Sequence, residues 1–113
     1  MIRSNRIRRA TLKARARTTR AAARIRRRGA GTLATHCMAQ GLSPREARSV
    51  ASTLRKTAAK LGITGIPARI HAGRQIRTDC RRYTIADVAR IALAYRPRKP
   101  AYKTVAARLA LAA

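Results

Sequence analysis

Phenylalanine and tryptophan are absent from this 113-residue chain, and acidic residues number only three. Each shortage excludes something. Without Phe or Trp, any core must be built from aliphatic side chains and the three Tyr. Three carboxylates cannot supply most acid–base or oxygen-ligand chemistry, so an enzyme is not expected. Two cysteines, Cys37 and Cys80, make no disulfide framework and fit a reducing cytosol. No apolar run approaches the roughly 18 residues of a membrane span, so a membrane protein is not expected either. The basic N-terminus lacks the apolar stretch of a secretory signal. An Arg-rich, acid-poor start also suits a transit peptide, but the basic character continues through the chain.

What is present in excess is positive charge. Lys and Arg total 28, giving a formal net charge of +25. Such a chain is expected to meet a polyanion, with nucleic acid the natural candidate. Of the 28 bases 23 are Arg, and Ala contributes 25 residues. GC-rich coding would raise Arg and Ala together, but it would not remove Glu and Asp. Arg also suits bidentate recognition of phosphate or guanine.

Residues 1–28 hold 12 of the bases and no acid: Arg3, Arg6, Arg8, Arg9, Lys13, Arg15, Arg17, Arg20, Arg24, Arg26, Arg27 and Arg28. Ile2, Ile7, Leu12 and Ile25 are too few to bury a core. Ala and Arg are strong helix formers, and no Gly or Pro intervenes before Gly29. The segment reads as a cationic N-terminal arm that becomes helical once phosphates neutralise its self-repulsion. The alternative is a helix docked on the body through Ala10, Ala14, Ala21 and Ile25. Gly29-Ala30-Gly31 reads as a hinge, and residues 29–113 as a small helical domain.

Within that domain, residues 32–40 predict a short helix with Leu33 and Cys37 inward, stopped at Gly41. Ser43-Pro44-Arg45-Glu46 is a capping box with Pro at the first helical position. From it, Ala47, Val50, Ala51, Leu54, Ala58 and Leu61 draw one apolar face, with Arg48, Arg55, Lys56 and Lys60 off it. Gly62 ends this helix. The pair has the layout of a helix-turn-helix, although any αα-hairpin places Gly and Ser similarly. Residues 68–71 and 75–78 then flank Ala72-Gly73-Arg74 as a β-hairpin, with Ile70 and Ile76 on one face. Arg69, Arg74 and Arg77 fall on the other face and the tip, and Arg81 and Arg82 follow. A basic hairpin beside such a helix pair resembles the wing of a winged-helix domain. The expected fold is therefore mainly α, helix-turn-helix-like, with one basic hairpin and the cationic arm.

Thr84 opens another helix, with Ile85, Val88, Ala89, Ala92 and Tyr95 as its buried stripe. A last helix over 101–112 turns Val105 and Leu109 inward, with Tyr102 and Ala106 at the edge of that face. Between them, Arg96-Pro97-Arg98-Lys99-Pro100 resembles the minor-groove AT-hook but lacks its central Gly. Tyr95 and Tyr102 either stack on bases or anchor this loop. His36, Cys37, His71 and Cys80 lack zinc-ligand spacing, so no metal or other cofactor is expected. Glu46 and Asp87 sit at helix starts, which leaves Asp79 as the one unassigned acid.

These readings converge on a cytoplasmic, nucleoid-associated protein that binds double-stranded DNA, regulatory, architectural or recombination-accessory, bacterial or phage in type. A regulator of this kind would act as a homodimer. The alternatives are an RNA-binding ribosome component and a virion protein that neutralises packaged genome.

Overall fold

A computed structural model describes residues 2–112. Seven elements follow in order: α1 (Ile2–Arg28), α2 (Leu33–Ala39), α3 (Pro44–Leu61), β1 (Ile66–Ala72), β2 (Gln75–Arg82), α4 (Ile85–Ala94) and α5 (Pro100–Leu111). The fold is mainly helical with a small antiparallel sheet.

The helix boundaries follow local chemistry. Thr32, Ser43 and Thr84 each cap the helix after them by accepting a bond from a backbone N–H three residues on. At Ser43 the box is reciprocal. Glu46 N–H donates to Ser43 Oγ at 3.3 Å, and Ser43 N–H donates to Glu46 Oε1 at 3.3 Å. At the far end of α3, Gly62 adopts φ +74°. Its N–H donates to Ala59 O, and that of Ile63 to Ala58 O, so the last carbonyls are satisfied as Ile63 turns into the core. Leu42 does the same after α2, its N–H donating to Cys37 O at 3.4 Å.

The core gathers α2, α3, α4 and α5 around Leu54, Ile91, Val50, Val88 and Cys37. Two expected core positions lie outside it. Leu61 is 44% exposed, because the chain leaves the helix axis at Gly62 and Ile63 takes the inward place. Ile85 is 38% exposed at the first turn of α4, while Ile91, two turns in, is fully buried.

The arm is a continuous helix whose last turns dock on α2. Ala21 and Ile25 are buried and Ala14 half-buried, whereas Ala10 is exposed. Residues 2–13 are exposed throughout, a projection of about 18 Å at 1.5 Å per residue. The expected hinge is instead a pinned joint, with Ala30 and Gly31 buried. Gly31 pairs with Tyr83 as an isolated antiparallel bridge, through N–H···O bonds of 3.0 and 2.7 Å. His36 Nε2 lies 2.7 Å from the same Tyr83 carbonyl, so that nitrogen carries the proton and donates.

The hairpin departs from its expected register in two ways. Ala72 pairs with Gln75, so the turn is the two-residue Gly73-Arg74, with φ +64° at Gly73. His71 then pairs with Ile76 and Ile70 with Arg77, which places Ile70 and Ile76 on opposite faces. Ile76 is 58% exposed, because a one-residue change in turn length inverts every face beyond it. Further along, Ala68 pairs with Cys80 while Ile70 pairs with Arg77. Two steps on β1 thus match three on β2, so β2 carries a bulge at 78–79. One face (Ala68, Ile70, Cys80, Arg82) is half-buried against the body, and the other (Pro67, Arg69, His71, Ile76, Arg81) is exposed.

Candidate nucleic-acid interface

Two adjoining grooves hold most of the convergent charge. The first lies between α3 and the hairpin and measures about 650 Å³. Arg48 and Arg55 line it from α3, Arg77 from the inner face of β2, and Arg81 from an outer-face position of the same strand. Arg48 and Arg55 are seven residues apart, two helical turns, so they stand one above the other on the same edge. The two-residue turn explains Arg77. A three-residue turn would pair Arg77 with Arg69 on the exposed face; the two-residue turn sets Arg77 opposite Ile70 on the inner face, and the bulge at 78–79 brings Cys80 and Arg82 back to that same face. Arg69, Arg74 and Arg77 therefore do not share one face, contrary to simple alternation.

The second groove, about 300 Å³, runs between the end of α1, the pinned joint and the hairpin. Arg24 and Arg28 line it from α1, Arg69 and Arg82 from the strands, with His71 and Thr35 beside them. Thr32 and Ile70 line both grooves, so the two adjoin. Among the described residues no acid lines either. Glu46 is held by Ser43, and Asp87 pairs with Arg90 at 3.7 Å. The side chain of Asp79 lies outside the described residues.

From the second groove the charge continues along α1. Arg6, Arg9, Lys13, Arg17, Arg20, Arg24 and Arg27 recur at steps of three and four, one stripe of the helix. From Arg6 to Arg27 this stripe rises about 31 Å. Arg24 belongs to both stripe and groove. Arg3, three residues before Arg6, extends this stripe, whereas Arg8, Arg15 and Arg26 lie on another side. Residue spacing alone contained this stripe. Its meeting with the hairpin was not legible, because the joint at Gly31 and Tyr83 sets it.

Other basic positions stand apart. Lys56 and Lys60 are exposed on α3 but line neither groove, and Arg74 projects at the hairpin tip. Arg96 turns back on its own helix, donating from a terminal nitrogen to Leu93 O at 2.6 Å and to Tyr95 O at 3.3 Å. That bond caps the end of α4. Lys99 sits 5.3 Å from the centre of the Tyr102 ring. Tyr95 is buried in the core and Tyr102 packs at its edge, so both anchor the loop. Arg98 is exposed beyond them.

The residues that resemble metal ligands have structural work. His36 is buried with its Nε2 engaged, and burial lowers its pKa against the partly opposing bonds to the Tyr83 and Gly31 backbones. Burial pushes the Cys37 thiol up to about 12, so it stays protonated and packs as a small apolar group. Tyr95 is also raised, chiefly by burial. His71 lies on the exposed face of the hairpin.

Comparison with known protein families, with curated proteins and with solved structures finds no match for this chain.

Proposed function

We propose that this protein binds double-stranded DNA along one basic track, the α1 stripe continued through the two grooves. One observation carries this reading: eight arginines from α1, α3 and both strands line adjoining grooves that no acid lines among the described residues, and one of them, Arg24, also belongs to the stripe. Charge scattered only to keep a protein soluble would have no reason to converge. Phosphates positioned along the track would neutralise the helix and release counterions. The helix pair α2–α3 followed by a basic hairpin supports a winged-helix-like mode, with α3 and the hairpin reading the duplex and α1 lying along its backbone. A nucleoid-associated or genome-packaging role follows from the same chemistry.

The test is fluorescence anisotropy of the full chain on a duplex DNA and a hairpin RNA of equal length, over a salt series. Arg24→Gln, Arg69→Gln and Arg82→Gln together should weaken duplex binding far more than Lys99→Gln, Lys103→Gln and Arg108→Gln, which lie outside both grooves. Equal losses from the two triple variants would overturn the track. Preference for the RNA at every salt concentration would replace DNA by RNA as the partner.

A further inference from the structure

The groove between α3 and the hairpin differs from the rest of the basic surface in its floor. Its charge stands on two walls, Arg48 and Arg55 on one side, Arg77 and Arg81 on the other. Between them the lining is mainly aliphatic: Leu33, Ala34, Ala59, Ile63 and Ile70. A phosphate resting on that floor would be desolvated against methyl groups with little to replace its water. Phosphates therefore belong at the walls. The floor suits a flat, weakly polar body, and Thr64, also lining the groove, offers a hydroxyl to its edge. A volume of about 650 Å³ lies within the range of small-molecule sites.

A nucleotide within a strand has this composition, a base with weakly polar faces between a 5′ and a 3′ phosphate. In an intact duplex the base faces are covered by their stacking neighbours and cannot reach such a floor. We propose that this groove receives one unstacked nucleotide of a DNA strand, its base on the aliphatic floor and its flanking phosphates held by the arginines of the two walls. The inference rests on the nucleic-acid reading above and narrows it. The protein prefers DNA carrying a bulged, frayed or extruded base to a perfectly paired duplex, because a base already out of the stack spares the cost of extrusion. Tyr83 also lines the groove but is only 5% exposed, so the floor holds the base mainly by aliphatic contact.

The experiment uses two DNA duplexes of equal length, one perfectly paired and one with a single bulged 2-aminopurine. Anisotropy reads affinity, and 2-aminopurine emission reads unstacking. The full chain should bind the bulged duplex about tenfold or more tightly, with brighter emission. Ala59→Trp, at an exposed position of α3, fills the floor and should abolish the preference, so that bulged and paired duplexes bind equally, with the melting temperature in place. Arg48→Gln with Arg55→Gln should reduce the preference by removing one wall. Free deoxyadenosine monophosphate should not compete, since its single phosphate cannot engage both walls; competition at micromolar concentration would make the ligand a free nucleotide and overturn the strand assignment. Equal affinity for the two duplexes, or a preference that survives Ala59→Trp, would also overturn it. Loss of all DNA binding in the unaltered chain would instead remove the broader reading.

Discussion

The α1 stripe can be tested without disturbing the fold. Removing residues 1–28 outright would strip Ala21 and Ile25 from their buried places against α2, confounding affinity with stability. Substitution by Gln at Arg6, Arg9, Lys13, Arg17 and Arg20 avoids this. Four of the five are exposed, Arg17 is half-buried, and Gln is nearly as good a helix former as Arg or Lys. The changes also remove like-charge neighbours at i,i+3 and i,i+4, each destabilising by about 0.2–0.5 kcal/mol in isolated helices. The variant should therefore melt at or slightly above the temperature of the original. If each of the five side chains neutralises one phosphate, the log–log salt slope becomes shallower by about 4.5. Between roughly 50 and 200 mM salt, the original chain should then lose about 2.7 decades of affinity more than the variant. Anisotropy at five salt concentrations on one duplex measures both slopes, and circular dichroism confirms that α1 remains helical. An unchanged slope with helicity intact would mean that the stripe does not touch phosphate, and the track would shrink to the grooves.

Three further outcomes test the body. His36 is held neutral by burial, so the unfolded chain takes up its proton first. Stability should be complete above pH 6.5 and fall by about 1.4 kcal/mol per pH unit below it, until the depressed native value is reached. Chemical denaturation from pH 8 to pH 5 should show that loss in the original chain and not in His36→Gln; identical profiles would refute it. Gly65 has φ +70°, and a Cβ there would lie 2.9 Å from Tyr83 Cε1 and 3.0 Å from Arg82 O. Gly65→Ala should thus cost about 2 kcal/mol or more and loosen the joint at Tyr83, read as a lower urea midpoint; an unchanged midpoint would refute that close approach. Ser43→Ala with Glu46→Ala should destabilise the domain by about 1–2 kcal/mol through the lost start of α3, and an unchanged melting temperature would remove that role.

The sequence by itself determined the elements whose causes are local. The caps at Ser43 and Thr84, the stops at Gly41 and Gly62 and the apolar face of α3 each depend on residues three to five apart, so residue type and spacing specify them. The same holds for the α1 stripe and for the placement of Glu46 and Asp87 at helix starts. Tertiary structure alone decided which arginines meet. Arg77 reaches the inner groove through a two-residue turn, and Arg82 joins that face through a bulge in β2; alternation cannot foresee a change of turn length or an inserted residue that reverses a face. Arg96 spends its guanidinium on the end of its own helix, a role indistinguishable in sequence from an exposed base. The joint that sets α1 beside the hairpin joins Gly31 to Tyr83 and includes a bond from His36 across 47 residues. Such contacts form only once the aliphatic core has brought distant segments together, and no local pattern of residues encodes them.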